Sequence, residues 1–240
     1  MSILLVTGIH AGVGASTVAA NLAAAYTVLG HKVLLVDLDP KNLVGPWFGH
    51  PTDKASGWTD AVSSDQSWKQ ALLRDPIGSY FLPHGGSLLT SSEYARYLDE
   101  MLTAARDKFE IIIISAPHDI ELSLSLTCSL LTLRVVNPTP MCVTLLSRQM
   151  ALSPPDSNIL FVLNQCRHDI ALLRDMTLVL EEALGTRLIS AHLYYDIAIQ
   201  EAFAMLGNVM TAATRSNAAV EFRQLATVVL SQVEKNQLRS

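Results

Sequence analysis

The sequence predicts an α/β protein with a doubly wound, mostly parallel sheet. Short apolar runs alternate with helical segments along the whole chain, a pattern typical of parallel sheets. Half of the residues are hydrophobic and 16% are charged, as expected when strands are covered on both faces. A glycine-bearing loop also joins the first strand to the first helix. The length of 240 residues suits one substantial domain, so residues 1–240 are expected to form a single domain.

The first strand, loop and helix have the layout of a phosphate-binding loop. Residues 3–6 form an apolar run, residues 8–14 carry the glycines, and Ser16 and Thr17 open an alanine-rich helix. Backbone N–H groups of such a loop, together with the helix N-terminus, attract a phosphate. The general pattern G-x-x-x-x-G-K-[ST] is incomplete, because Gly8 comes one residue early and Ala15 replaces the lysine. A glycine turn without a ligand remains the alternative.

Two carboxylates follow the second strand, which is predicted at residues 32–36. Asp37 and Asp39 lie in the segment Asp37-Leu38-Asp39-Pro40. Carboxylates beside a phosphate loop can hold magnesium-bound water or orient an attacking water. A plain Asx turn before Pro40 explains the same residues equally well.

The rest of the chain continues the alternation of strands and helices. Two short helices, each docked by a tryptophan, are predicted within 57–74, with a short strand and turn at 81–85. Five apolar residues define the core face of a helix at 93–106: Tyr94, Leu98, Met101, Leu102 and Ala105. Further strands are predicted at 109–114 (a central one), 133–136, 159–163 and 187–193. Further helices are predicted at 122–131, 143–150, 169–184 (ended by Gly185), 197–206 and 217–233.

Composition excludes several functional classes. The net charge of −5 leaves no basic excess for sequence-independent nucleic-acid binding. No apolar run reaches about 18 residues, and the polar face of the last helix is balanced in charge, so no direct membrane insertion is expected. The absence of a signal-peptide pattern indicates a cytoplasmic protein. Cys128, Cys142 and Cys166 lack C-x-x-C spacing, which predicts free thiols in a reducing compartment.

The loop and the carboxylate segment together resemble the ParA/MinD family of deviant P-loop proteins. The family loop reads K-G-G-x-G-K-[ST]-T, and residues 10–17 align with it without gaps. Both family lysines are missing, at His10 and Ala15. The segment after the second strand resembles the family's D-x-D-P-x-x-N, which places Asp39 at the position that senses the γ-phosphate. The strand at 109–114 ends in Ser115, where the family has the aspartate that holds the magnesium shell.

This resemblance implies ATP with Mg²⁺ as the ligand. The implied nucleotide-binding residues are His10, Gly12, Val13, Gly14, Ala15, Ser16, Thr17 and Asn164, although strand-end turn chemistry also explains Asn164. Ser16 and Asp39 are the implied Mg²⁺ ligands, and Asp39 is the candidate catalytic residue. Because both lysines and the aspartate at the position of Ser115 are missing, we expect negligible hydrolysis and weak or absent binding. The sequence favours a pseudo-ATPase but leaves open whether the chain is an enzyme.

The tryptophan-rich stretch at 57–85 resembles one branch of the family, the BcsQ (YhjQ) cellulose-biosynthesis proteins. The shared pattern is G-W…A…W…A-L-x-R…L-P-x-G. The resemblance implies an accessory subunit that assembles, stabilises or positions a bacterial cellulose synthase secretion complex through protein–protein contacts. It implies a homodimer or heterodimer, contact with cellulose synthase and its cytoplasmic accessory subunits, and recruitment to the inner membrane by those partners.

Two other functional classes stay open at this point. One is a ParA/MinD-type ATPase that positions another cargo, such as a pilus or flagellum, and the other is a small-molecule ligase on the same scaffold.

A nucleophilic triad of Ser115, His118 and Asp119 is disfavoured, because Ser115 lacks a G-x-S-x-G elbow and adjacency in sequence is not triad geometry.

Overall fold

The structure, a computed structural model, describes residues 1–51, 56–119, 130–152 and 158–237. Its strands are β1 (Ser2–Gly8), β2 (Val33–Asp37), β3 (Leu73–Arg74), β4 (Tyr80–Leu82), β5 (Ile111–Ser115), β6 (Leu130–Val136) and β7 (Ile159–Leu163). Its helices are α1 (Ala15–Val28), α2 (Trp58–Ser63), α3 (Ser91–Ala105), α4 (Pro140–Leu152), α5 (Ala171–Leu184), α6 (Ile197–Ala204) and α7 (Asn217–Gln237). Short 3₁₀ turns span Gly45–Phe48, Trp68–Ala71 and Gly185–Arg187.

The seven strands of the described chain form one sheet in the order β3-β4-β2-β5-β1-β6-β7. All neighbouring pairs are parallel except β3 and β4. β1 lies between β5 and β6, and the chain extends the sheet outward from it in both directions. In such a sheet, ligands bind outside the carboxyl ends of the strands where the strand order reverses. The predicted fold class, a doubly wound and mostly parallel α/β sheet, is confirmed.

Helices cover both faces of the sheet. On one face α1 and α7 pack against Val6, Leu35 and Ile113, and on the other α2 and α3 pack against Val36 and Ile114. A separate cluster joins α4 and α5 to β6 and β7. The four isoleucines of β5 alternate between the two main clusters, as a strand with period two requires. All five residues predicted for the core face of α3 are buried.

Several predicted elements differ from the structure. The region expected to hold a second short helix holds a 3₁₀ turn at Trp68–Ala71 and the edge strand β3 instead. The helix predicted at 122–131 is wrong at its end, because residues 130–131 belong to β6; its other residues lie outside the described chain. The strand predicted at 187–193 is reduced to two isolated bridges, Phe161 to Leu188 and Cys166 to Tyr194. Here the chain contacts β7 through separate backbone bonds and not a continuous ladder: the Ile189 N–H donates to the Phe161 carbonyl at 2.8 Å, and the Leu193 N–H donates to the Leu163 carbonyl at 2.9 Å.

The last helix packs in the core as predicted. Phe222, Leu225, Val229 and Val233 are all buried, and α7 lies against α1. Among the residues that the structure describes, no helix is long and apolar enough to cross a membrane. Cys142 and Cys166 are buried free thiols, as expected, while Cys128 lies outside the described residues.

Candidate nucleotide-binding site

The loop between β1 and α1 has the backbone shape of an anion cradle. Gly12 and Gly14 have φ angles of 89° and 88°, a left-handed conformation that other residues adopt with strain. Gly14 is the N-cap of α1, and within the part of the chain that the structure describes no side chain caps this helix end. The N–H groups of Ala15, Ser16 and Thr17 therefore have no carbonyl partner within the helix and remain available to a ligand. The first turn also carries no acidic residue that would repel a phosphate.

Asn164, at the end of β7, holds this loop in place. Its Nδ2 donates a hydrogen bond of 2.8 Å to the carbonyl oxygen of Val13, and the Asn164 side chain is buried. A Cβ on Gly14 would overlap the same amide group, so the glycine permits the contact. The side chain of Val13 is also buried, which leaves only its backbone for a ligand. This contact is a long-range hydrogen bond and not the strand-end turn chemistry considered for Asn164, which also lines a cavity beside the loop.

A cleft of about 330 Å³ opens above the loop at the carboxyl edge of the sheet. It brings together seven of the predicted residues, six from the loop and start of α1 and one, Asp39, from the segment after β2. The lining comprises Gly8, His10, Ala11, Gly12, Gly14, Ala15, Ser16, Thr17, Asp39, Lys41, Leu43, Ala116, Pro117, His118 and Gln165. Of the predicted site residues, Val13 and Asn164 do not line this cleft. We call it the phosphate cleft.

The phosphate cleft offers groups that fit a nucleotide and its metal. The Nε2 atom of His10 is buried and has no hydrogen-bond partner among the described residues, which is unfavourable unless a ligand supplies one. Ser16 and Asp39 both line the cleft, and hydroxyl and carboxylate oxygens are the ligand type that Mg²⁺ prefers. Magnesium normally completes its shell with phosphate oxygens and water, so two protein ligands suffice. Within the described residues no group of three or more His, Cys, Asp or Glu side chains could hold a metal without such help.

A chain of hydrogen bonds links the two aspartates after β2. The fully buried Asp37 accepts bonds from the Asp39 N–H at 3.1 Å and the Val44 N–H at 3.4 Å. Burial, with the charge of Asp39 nearby, raises the pKa of Asp37 to about 8. Asp39 itself is partly exposed and accepts a bond of 3.0 Å from the Lys41 N–H. The Asx-turn prediction is therefore correct for Asp39, and the turn places its carboxylate in the cleft.

A second cavity of about 450 Å³ adjoins the phosphate cleft, and the two share Ser16, Thr17, Leu43 and Gln165. Aromatic and amide side chains dominate its remaining wall: Trp47, Asn164, Tyr194, Tyr195, Asp196, Ile199, Gln200 and Phe203. The rings of Trp47 and Phe203 lie 4.7 Å apart. We call this space the aromatic cavity. Apart from Asn164, these residues were not predicted as site residues, because only long-range packing brings their segments together.

The disfavoured triad of Ser115, His118 and Asp119 does not form a catalytic arrangement in the structure. Ser115 is buried within β5, where its carbonyl accepts a bond of 2.8 Å from the Leu38 N–H. His118 and Asp119 are exposed, with 3.8 Å between Nδ1 and Oδ1. Ser115 lines neither the phosphate cleft nor the aromatic cavity. The strand-end aspartate of the family has therefore been replaced by a packed side chain.

Comparison with known proteins decides the family. The family model described as "Cellulose biosynthesis protein BcsQ" matches residues 1–230. The chain belongs to the BcsQ family. The cellulose biosynthesis protein BcsQ of Escherichia coli K12 is 30% identical over 128 residues, which cover 50% of this chain and 51% of that protein. The chain thus spans about half the length of this curated BcsQ relative.

Solved structures place this BcsQ family member in the ParA/MinD fold. The MinD cell division protein of Aquifex aeolicus matches with a TM-score of 0.76 and 18% identity, over 96% of this chain and 98% of that one. The septum site-determining protein MinD of Pyrococcus horikoshii OT3, solved with Mg-ADP, matches with a TM-score of 0.71 and 25% identity, over 93% of each chain. The resemblance inferred from the loop and the carboxylate segment is confirmed.

Proposed function

We propose that the chain binds ATP with Mg²⁺ without efficient hydrolysis and acts as an accessory protein of bacterial cellulose biosynthesis. The observation that carries the nucleotide part is the preserved cradle beside the aromatic cavity. Three features lie at one cleft: the free N–H groups at the start of α1, the left-handed Gly12 and Gly14, and the His10 ring, whose Nε2 has no partner among the described residues. The MinD relative of Pyrococcus horikoshii, solved with Mg-ADP, supports the choice of ligand.

In this proposal each residue has a limited task. The backbone of residues 12–17 and His10 hold the phosphates, and Ser16 and Asp39 hold the metal, which neutralises phosphate charge when it is bound. The aromatic cavity takes the flat base, with the amides of Asn164 and Gln165 available as polar contacts. Asn164 fixes the loop before the ligand arrives.

The same site lacks what hydrolysis needs. Ala15 brings no ammonium group to the β- and γ-phosphates, and Ser115 brings no carboxylate to the metal. Removing a single group that stabilises the transition state typically slows an enzyme by about 10²–10³-fold. We therefore propose a nucleotide-binding pseudo-ATPase rather than a working ATPase or ligase.

Isothermal titration calorimetry with MgATP and a phosphate-release assay on the same protein test this proposal. The matched control is Gly14→Asp, which puts a negative side chain where the cradle meets Asn164. We expect weak heat for the wild type, none for the control, and equal background phosphate release for both. Phosphate release well above the control would refute the pseudo-ATPase. No heat and no thermal shift at millimolar MgATP would refute nucleotide binding and leave a protein scaffold.

We propose that the biological output is a protein contact, with the chain acting as one domain in the cytoplasm and recruited to the inner membrane by its partners. Membership of the BcsQ family supports a role in cellulose biosynthesis. The apolar side chains of Leu43, Tyr195 and Ile197 are exposed around the aromatic cavity, which suits a dimer with facing phosphate loops or contact with a cellulose synthase subunit.

Cellulose output of a deletion strain, complemented by the wild type or by Gly14→Asp, tests this role. Light scattering with and without MgATP tests the dimer. Unchanged cellulose output on deletion would refute the role. A strict monomer under both conditions would refute the dimer alone.

A further inference from the structure

Lys41 lines the phosphate cleft, although it lies outside the motif positions that indicate a nucleotide site. It lies in the loop after β2, and its side chain is exposed. Among the described residues its ammonium group makes no ion pair or hydrogen bond, since the bond to Asp39 comes from the backbone N–H. The described lining of the cleft contains no other lysine or arginine. A free cation therefore faces a cleft whose family lysines are both missing.

Hydrogen bonds fix the backbone that carries Lys41. The Lys41 N–H donates to Asp39 Oδ1 at 3.0 Å, and the Asn42 N–H donates to the Asp39 carbonyl at 2.8 Å. Asn42 has a φ of 51°, a left-handed conformation that closes the turn, and it is buried. Beneath the turn, Asp37 accepts the Asp39 N–H. The loop thus presents Lys41 from a preorganised turn, which lowers the entropic penalty of binding.

The position of Lys41 along the site indicates which phosphate it reaches. The aromatic cavity adjoins the phosphate cleft at Ser16, Thr17, Leu43 and Gln165. A third cleft of about 420 Å³ shares Asp39, Lys41, Pro117 and His118 with the phosphate cleft and has no lining residue in common with the aromatic cavity. Lys41 lines the phosphate cleft and the third cleft but not the aromatic cavity. A nucleotide with its base in the aromatic cavity would extend its last phosphate toward Lys41.

We propose that Lys41 binds the terminal phosphate of a nucleoside triphosphate and replaces the charge lost at His10 and Ala15. The cation has moved from the phosphate loop to the turn after β2. A lysine in this position is a compact point charge on a flexible stem, which suits a phosphate at the open end of a cleft. This inference rests on the proposed nucleotide binding and specifies the triphosphate as its preferred form.

Calorimetry with MgATP, MgADP and AMP on Lys41→Ala tests the inference, with Lys108→Ala as the matched control. Lys108 is also exposed and carries the same charge, but it lies just before β5, at the amino edge of the sheet. We expect Lys41→Ala to weaken MgATP binding about tenfold. AMP binding should change less than twofold, Lys41→Arg should keep most of the affinity, and Lys108→Ala should match the wild type.

A second experiment restores the family lysine. Ala15→Lys should strengthen MgATP binding, and Lys41→Ala should then have a smaller effect, because the two cations would serve the same phosphates. Such non-additivity is the expected sign of residues that share a partner. Thermal shift at a series of MgATP concentrations gives a readout that does not depend on turnover.

The outcomes separate this inference from the proposed function. If the wild type binds MgATP and Lys41→Ala binds it equally well, Lys41 has no such role while nucleotide binding stands. If Lys41→Ala weakens AMP as much as MgATP, the terminal-phosphate assignment is wrong. If the wild type binds none of the three nucleotides at millimolar concentration, both the proposed function and the inference fall.

Discussion

Asn164 provides the sharpest test of how the site is held together. Its Nδ2 donates 2.8 Å to the Val13 carbonyl in a buried position, and this bond joins the end of β7 to the phosphate loop. Asn164→Ala removes the donor and leaves the Val13 carbonyl without this partner. An unsatisfied buried group of this kind costs about 1–3 kcal/mol. We take about 2 kcal/mol as the expected loss in the free energy of unfolding.

For a chain of this size, 1 kcal/mol shifts the melting temperature by about 2–4 °C. Asn164→Ala should therefore melt roughly 4–8 °C below the wild type in a calorimetric scan. The loop is also less preorganised, so MgATP affinity measured well below the melting temperature should fall several-fold. Asn137→Ala is the matched control, because the Oδ1 of Asn137 accepts only the nearby Thr139 hydroxyl, at 3.1 Å, among the described residues. It should shift the melting temperature by less than half as much.

Two results would refute this reasoning about Asn164. If Asn164→Ala melts within 1 °C of the wild type, the bond to Val13 does not hold the loop in solution. If the melting temperature falls but MgATP affinity stays unchanged, the bond supports the fold without organising the site.

Three further substitutions test the pH dependence and the core. Burial raises the pKa of Asp37 from 3.8 to about 8, so the contribution of Asp37 to stability is complete below pH 3.8 and is lost as the pH rises through 8. The melting temperature of Asp37→Asn relative to the wild type should therefore rise steadily from pH 5 to pH 8, and a constant difference would contradict this. Trp58→Phe removes the 2.8 Å bond from Nε1 to the Asp37 carbonyl and should cost about 2 kcal/mol in urea unfolding. Trp68→Phe should cost less than about 1 kcal/mol, because the buried Trp68 indole makes no hydrogen bond to the described residues. Phe222→Ala should cost about 3–5 kcal/mol if α7 is a packed helix, whereas the 43% exposed Val220 should tolerate alanine within about 0.5 kcal/mol; equal effects would contradict the packing.

Local patterns predicted the elements that are decided by neighbouring residues. β7 has the predicted bounds because five apolar residues lie between turn-forming segments, and the stripe of α3 appeared directly as a helical period. The glycine loop indicated both β1 and α1, although β1 extends beyond the predicted residues 3–6 at both ends and α1 begins at Ala15, one residue before the predicted Ser16. The phosphate cleft could be predicted because parallel strands bring their carboxyl ends to one edge, so that residues 8–17 and Asp39 meet there.

Features that depend on long-range packing could not be predicted. β3 is two residues long and exists because it pairs with β4 at the sheet edge, where Arg74 stacks over the ring of Tyr80. The pairing of Trp47 with Phe203 joins segments more than 150 residues apart, and neither carries a motif. Lys41 follows the D-x-D-P segment directly, and that adjacency is the one signal that could have suggested it.

Replacing Ala15 by lysine should change the stability of the empty and of the occupied site in opposite directions. A lysine there would lie in the first turn of α1, beside the positive end of the helix dipole and the free N–H groups, where a cation costs about 0.3–1 kcal/mol. Without a bound anion that repulsion is uncompensated, whereas a phosphate turns the same charge into an attraction. Ala15→Lys should therefore lower the melting temperature of the free protein and raise that of the protein in saturating MgATP. A lysine that raised both would show that the dipole does not govern the empty loop, and one that lowered both would show that phosphates do not bind there.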